Sequence, residues 1–246
     1  MALITNHDDI APVGPGYADW IAQQPIGDIG SVIVDVTDSG ADNGNPAGGG
    51  HPDFTQGFAY IVNQIPAQTT GIDGCGHGTI NLSIVGGDAA GGTGMLDPEG
   101  YLYGQGIAPG VGLAASALFN SSCNWAVPSS TTYTKIVSDS MNGGATISTN
   151  SWGAAAGGTY TTAAKEYDGI VRDADRDVTN GLQPISVFFS AGNKGSKSYT
   201  IDSPASAKNV ITVGASENYR MDGKDGCSVT DAGADNISDL INFSSR

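Results

Sequence analysis

Ser31-Val32-Ile33-Val34-Asp35-Val36-Thr37-Asp38-Ser39-Gly40 is a β-branched, nearly continuous apolar run that stops at turn-forming residues. It reads as a strand through Val36 followed by a turn. Runs of the same kind recur at residues 113–119, 146–149, 185–189 and 210–213. A strand with one wet face alternates polar and apolar residues; a near-continuous apolar run fits a strand covered on both faces, as in a parallel sheet. Between these runs, residues 17–24, 76–86, 131–141 and 161–178 carry helical patterns. Strand and helix alternate, so the expected fold is α/β: a three-layer α/β/α sandwich around a mostly parallel sheet.

The 246 residues are enough for one sizeable core and read as a single domain, with the Gly/Asn/Pro-rich stretch 40–50 as a surface loop. Hydrophobic residues make up 39 % and charged residues 14 %, a compact globular composition. The net charge of −15 repels phosphate backbones, so no nucleic-acid partner is expected. No run approaches the ~18 apolar residues of a membrane span. Residues 1–9 lack a basic region followed by an apolar stretch, so no signal peptide is read there.

Cys75, Cys123 and Cys227 are too few for a disulfide framework and lack Cys-x-x-Cys metal spacing. They are expected to be isolated, semi-buried small residues, with at most one pair among them. Cys75 stands two residues before His77. A Cys–His hydrolase is disfavoured, because such spacing ties both side chains to one segment without making them meet.

Three segments place polar side chains where strands end or helices begin, the positions at which open α/β sheets collect function. Asp38 follows the first strand, where it can orient an imidazolium or serve only a turn. His77, in Asp73-Gly74-Cys75-Gly76-His77-Gly78-Thr79, is enclosed by glycines ahead of an apolar helix, which leaves its ring accessible for acid–base work. Asn193, in Ser190-Ala191-Gly192-Asn193, follows a buried strand; its amide can donate to a developing oxyanion or merely occupy a turn.

Taken in order, these segments resemble the subtilisin-like serine protease family. Asp38-Ser39-Gly40 is similar to its catalytic Asp motif, His51-Pro52-Asp53-Phe54 to its His-Pro-Asp-Leu, and Gly76-His77-Gly78-Thr79 to its catalytic His motif. Gly106-Ile107-Ala108-Pro109-Gly110 resembles its Gly-Val-Ala-Pro turn, Asn150-Ser151-Trp152-Gly153 its substrate-binding segment, and Ser190-Ala191-Gly192-Asn193 its oxyanion motif. Pro204-Ala205 with Val210-Ile211-Thr212-Val213-Gly214-Ala215, and Phe243-Ser244-Ser245-Arg246, continue the likeness to the last residue.

The resemblance implies an endopeptidase in which Asp38 orients His77 and Asn193 stabilises the oxyanion. Ser151, Trp152 and Gly153 would pair with substrate backbone. Ala191 and Gly192 would border the pocket for the residue before the cut, their small size leaving room for a large side chain. It further implies a polypeptide substrate, a monomer, an extracellular or cell-envelope setting, and no cofactor for the chemistry. Structural calcium is common in the family, but no segment identifies its ligands.

Two departures stand out. The family continues Gly-Thr-His-Val-Ala-Gly where this chain has Gly78-Thr79-Ile80-Asn81-Leu82-Ser83, and the Gly-Thr-Ser motif of its nucleophile occurs nowhere in the 246 residues. The chain is therefore expected to be a partial peptidase domain, ending before its serine and inactive alone. The alternative is a non-catalytic protein holding peptides in the same groove; an α/β ligand-binding module would need a phosphate loop that the sequence lacks. Gly110-Val111-Gly112-Leu113-Ala114-Ala115 fits a dinucleotide fingerprint on paper, but it opens a strand rather than a helix. Asp173, Asp175 and Asp177 resemble a cation ladder, but on a helix alternate residues do not share a face.

Overall fold

The structure, a computed structural model, describes residues 23–25, 27–88, 104, 106–176, 181–217, 236 and 238–246. After a single 3₁₀ turn at Ile29–Ser31, the elements run β1 (Ile33–Asp38), β2 (Tyr60–Asn63), α1 (His77–Gly86), β3 (Gly112–Ala117), α2 (Tyr133–Asn142), β4 (Ile147–Asn150), α3 (Thr162–Ile170), β5 (Ser186–Ser190) and β6 (Ile211–Val213). All six strands are parallel, in the order β2-β3-β1-β4-β5-β6. Val34 lies opposite Leu113 on one side of β1 and opposite Ile147 on the other. From β1 the chain goes to the edge strand β2, comes back to β3 beside β1, then crosses to β4 on the other side of β1 and builds outward through β5 and β6. That reversal opens a crevice at the carboxyl ends of β1 and β4.

The alternation along the strands assigns the layers. Val36 on β1 and Leu113 and Ala115 on β3 pack with Leu82 of α1, Phe54 and Phe58 on one face. On the other face Val137 of α2 and Ala164, Tyr167 and Ile170 of α3 pack on Val187 and Phe189 of β5. Helices cover both faces of a parallel sheet, as the apolar runs require.

Several boundaries differ from the sequence expectation. Strand β2 was not anticipated; it has four residues, all half-buried, at the sheet edge, so it lacks the long buried run that marked the others. Strand β1 runs on through Thr37 and Asp38, which pair with Ser116 and Ala117, rather than turning at Thr37. Helix α3 stops at Ile170; beyond it Arg176 folds back toward Gly169 and its guanidinium donates to the Glu166 carbonyl at 3.4 Å. Asp173 and Asp175 thus lie beyond the helix, where they accept from the Gln183 backbone and the Asn142 amide rather than forming a ladder. Asp177, Cys227 and all of the expected helix 17–24 except Gln23 and Gln24 lie outside the described residues.

Beneath α2 the sheet centre is polar. Asp35, Thr37, Ser116, Ser140 and Ser148 are all fully buried. Asp35 Oδ1 accepts from Thr37 Oγ1 at 2.9 Å and Oδ2 from Ser116 Oγ at 3.0 Å. Tyr60 Oη lies 2.8 Å from Asp35 Oδ2 and 2.9 Å from the Ser140 carbonyl. One phenolic proton cannot serve both oxygens. The set closes if Asp35 is protonated and donates to Tyr60, which then donates to Ser140. Burial pushes the Asp35 carboxyl above its ordinary range, against the lowering effect of its hydrogen bonds with Tyr60, Thr37, Ser116 and Ser140.

In the unfolded chain this group ionises near its ordinary value, about 4. The folded state therefore loses stability as pH rises from there through the raised pKa. Asp35→Asn supplies an amide donor toward Tyr60 and removes that dependence. Its melting temperature relative to the unsubstituted chain is expected to be higher at pH 7 than at pH 4. Parallel melting curves at the two pH values would refute a protonated Asp35.

Candidate active site

Asp38 ends β1 with a side chain only 2 % exposed. Gly40, two residues on, takes a φ of +121°, which turns the chain sharply away. The N-terminus of α1 packs directly on this turn. A Cβ on Gly78 would sit 2.4 Å from the Gly40 carbonyl oxygen, so only glycine permits the approach. Ser39 Oγ then accepts from the Gly78 N–H at 2.8 Å. The helix begins after Gly76, which has a φ of +88° and offers no side-chain cap. Asp73 takes over that role: Oδ1 accepts from the N–H groups of Cys75 and Gly76, and Oδ2 from the N–H and hydroxyl of Thr79. Of the glycines flanking His77, Gly78 serves close packing and Gly76 the positive φ, while the cap comes from upstream.

This packing places His77 Nδ1 at 2.8 Å from Asp38 Oδ1, with the His77 side chain 53 % exposed. Asp38 Oδ1 also accepts from the Ser39 N–H at 2.7 Å. The bond from Asp38 raises the His77 pKa above 6.5, opposed by partial burial and aided by the charges of Asp38 and Asp73. A buried carboxylate on Nδ1 fixes the tautomer that carries its proton there. Nε2 has no bonding partner among the described residues.

Asp38, His77, Phe119 and Ser151-Trp152-Gly153 line a cleft of about 490 Å³. Ser151 also lines an adjoining cleft of about 460 Å³, together with Asn81, Ala191, Gly192, Asn193 and Ser244. The structure therefore brings Asp38 and His77 into contact. Asn193 is exposed in the next cleft and touches neither of them. Trp152 is anchored inward: its Nε1 donates to the Thr37 carbonyl at 2.9 Å, and its ring packs on Tyr133 and Phe189. That anchor holds the 151–153 segment beside the end of β1.

Gly192 and Gly153 are small for a reason the sequence did not disclose. A Cβ on Gly192, whose φ is +104°, would lie 2.6 Å from Asp202 Oδ2, and one on Gly153 would lie 3.0 Å from Asp202 Cβ. Asp202 packs against both glycines. It is held by its N–H to the Ala191 carbonyl and by Lys194 Nζ at 2.9 Å, while its buried Oδ1 meets no partner among the described residues.

The cysteine expectation is corrected. Cys75 and Cys123 form a disulfide across 48 positions, joining the segment before α1 to the loop after β3. Sequence spacing gave no hint, because the two meet only when the β3 loop folds over the cleft. A disulfide-bonded Cys75 is no thiolate nucleophile. Ser83, which stands in place of the glycine of the related motif, donates to Asp53 Oδ2 at 2.5 Å and pins α1 to the 51–54 segment. Asn81, Asp73, Asp202 and Lys194 were likewise missed. Each is an ordinary polar residue whose partner is distant in sequence or hidden in a turn. Among the described residues no three His, Cys, Asp or Glu side chains converge to hold a metal. No helix among them is long and apolar enough to cross a membrane.

The fold has known counterparts. A psychrophilic subtilisin-like protease, Apa1, from the Antarctic psychrotroph Pseudoalteromonas sp. AS-11 matches at TM-score 0.53 and 19 % identity over 77 % of this chain and 37 % of its own. The prenylagaramide maturation protease PagA matches at 0.54 and 19 %, over 94 % of this chain and 63 % of its own. A serine-to-alanine mutant of the protease domain of PatA matches at 0.55 and 19 %, over 91 % and 65 %. The chain thus spans less than two thirds of each of these structures, and at such identity the likeness establishes the fold alone. The family model described as the subtilase family matches residues 30–246, which takes in the Asp38–His77 pair and every strand. The chain belongs to the subtilase family.

Proposed function

We propose that this chain is the Asp–His portion of a serine endopeptidase and that the nucleophilic serine is supplied from outside these 246 residues. The observation that carries the reading is the buried Asp38 carboxylate bonded to Nδ1 of a half-exposed His77 at the rim of a cleft. With Nδ1 holding its proton toward Asp38, the Nε2 lone pair takes the proton of the attacking serine and returns it to the leaving amine. Asp38 orients the ring and stabilises the imidazolium. Asn193 donates its amide to the oxyanion of the tetrahedral intermediate. Ser151-Trp152-Gly153 receives the substrate as an added strand, so the substrate is an extended polypeptide segment. The Cys75–Cys123 disulfide favours an oxidising compartment, extracellular or at the cell envelope.

The test uses a fluorophosphonate probe, which labels activated serines, alongside an unstructured protein substrate. Residues 1–246 are expected to give neither labelling nor cleavage, and the protein extended by its following sequence is expected to give both. Stoichiometric labelling of a serine within residues 1–246 would place the nucleophile inside this chain. An extended protein that binds peptides without labelling or cleavage would replace the enzyme with a peptide-holding protein.

A further inference from the structure

We propose that Asn81 is a positioning residue for the Asp38–His77 pair, locking the outer oxygen of Asp38 and coupling it to the substrate-binding segment at Ser151; this rests on reading that pair as the protease's base. Asn81 lies four residues after His77, on the same face of α1. Its Nδ2 is 3.2 Å from Asp38 Oδ2 and 3.2 Å from His77 Nδ1, and its Oδ1 accepts from Ser151 Oγ at 3.4 Å. The related motif carries Val at this position, which can make none of these bonds.

The chemistry of the partners fixes the orientation of the amide. An ionised carboxylate only accepts, so the Asn81 nitrogen must face Asp38, which leaves its oxygen for Ser151. His77 Nδ1 already donates to Asp38 Oδ1, so Asn81 and the ring stand side by side as two donors to one carboxylate. Oδ1 takes His77 and the Ser39 N–H; Oδ2 takes Asn81 alone among the described residues. In a side chain 2 % exposed, loss of Asn81 strands a charged oxygen without water.

The charged groups facing His77 are Asp38 from β1 and Asp73 from the segment before α1. Asn81 moderates the first of these. Its N–H spreads the carboxylate charge and places a positive dipole end beside Nδ1. Without it, the imidazolium becomes the main compensation for Asp38, and His77 holds its proton to higher pH. Purely steric support would not set the titration in this direction, because a carboxylate freed to swing away would lower the His77 pKa.

The test is imidazole titration by NMR on residues 1–246, which contain only three histidines, His7, His51 and His77. Asn81→Leu, close in shape and without the amide, is expected to raise the His77 midpoint by about half a unit to one unit. In the unsubstituted chain the Asn81 side-chain amide resonances should change through the His77 midpoint. A His77 midpoint that stays or falls in the variant, or amide resonances that ignore the titration, would overturn the proposal. If the variant does not fold, the amide titration decides alone. Neither readout needs turnover, so a complete protein that fails to cleave peptides would sink the protease reading and leave this result standing.

Discussion

In the complete enzyme, His77→Ala is expected to reduce kcat by about 10⁴–10⁶-fold while leaving the fold intact. The loss is large because the ring performs two proton transfers, and the described residues around it offer no second base: Asp38 is buried and already bonded, and Asn81 is neutral. The fold survives because His77 is half-exposed at a helix N-terminus that Asp73 and Ser39 cap without it. The unsubstituted enzyme carries a linked expectation. Only neutral His77 acts as base, and its pKa is raised by Asp38, so kcat/KM should rise with pH through a midpoint above 6.5. A folded His77→Ala enzyme with near-normal kcat, or one whose pH limb matches that of the unsubstituted enzyme, would remove His77 from the mechanism.

Asn193→Leu is expected to lower kcat by about 10²–10³-fold with KM much less affected. A neutral amide bonds weakly to a ground-state carbonyl and strongly to an oxyanion, so its contribution appears in the transition state. The side chain is exposed in its cleft, after the positive-φ turn at Gly192, and no hydrogen bond within the described residues restrains it. Leucine keeps the approximate volume and removes the donor. A loss carried mainly by KM would instead make Asn193 part of substrate holding or of the turn.

The strands β1, β3 and β5 were legible because burial on both faces leaves a near-continuous apolar run, whereas β4, Ile-Ser-Thr-Asn, carries polar residues along its whole length after Ile147. Asp38, His77 and Asn193 were singled out because each lies near glycines at the end of a strand or the start of a helix, and the resemblance to a known family supplied the roles expected of them. What escaped the sequence shares one property. Asp35 looks like a break in an apolar strand until Tyr60, Ser116 and Ser140 close around it. Cys75 and Cys123 look unrelated until the β3 loop crosses the cleft. The packing of Asp202 against Gly192 is equally invisible in the sequence. Asn81 looks like a helix surface residue until it meets Asp38 and Ser151. The sequence by itself determined the layered α/β architecture, because hydrophobic period is a local property of the chain, and its resemblance to a known family singled out Asp38 and His77. Only the tertiary structure decided which polar groups satisfy one another, because a hydrogen bond depends on ångström-scale positions that residues far apart in sequence acquire together when the sheet assembles.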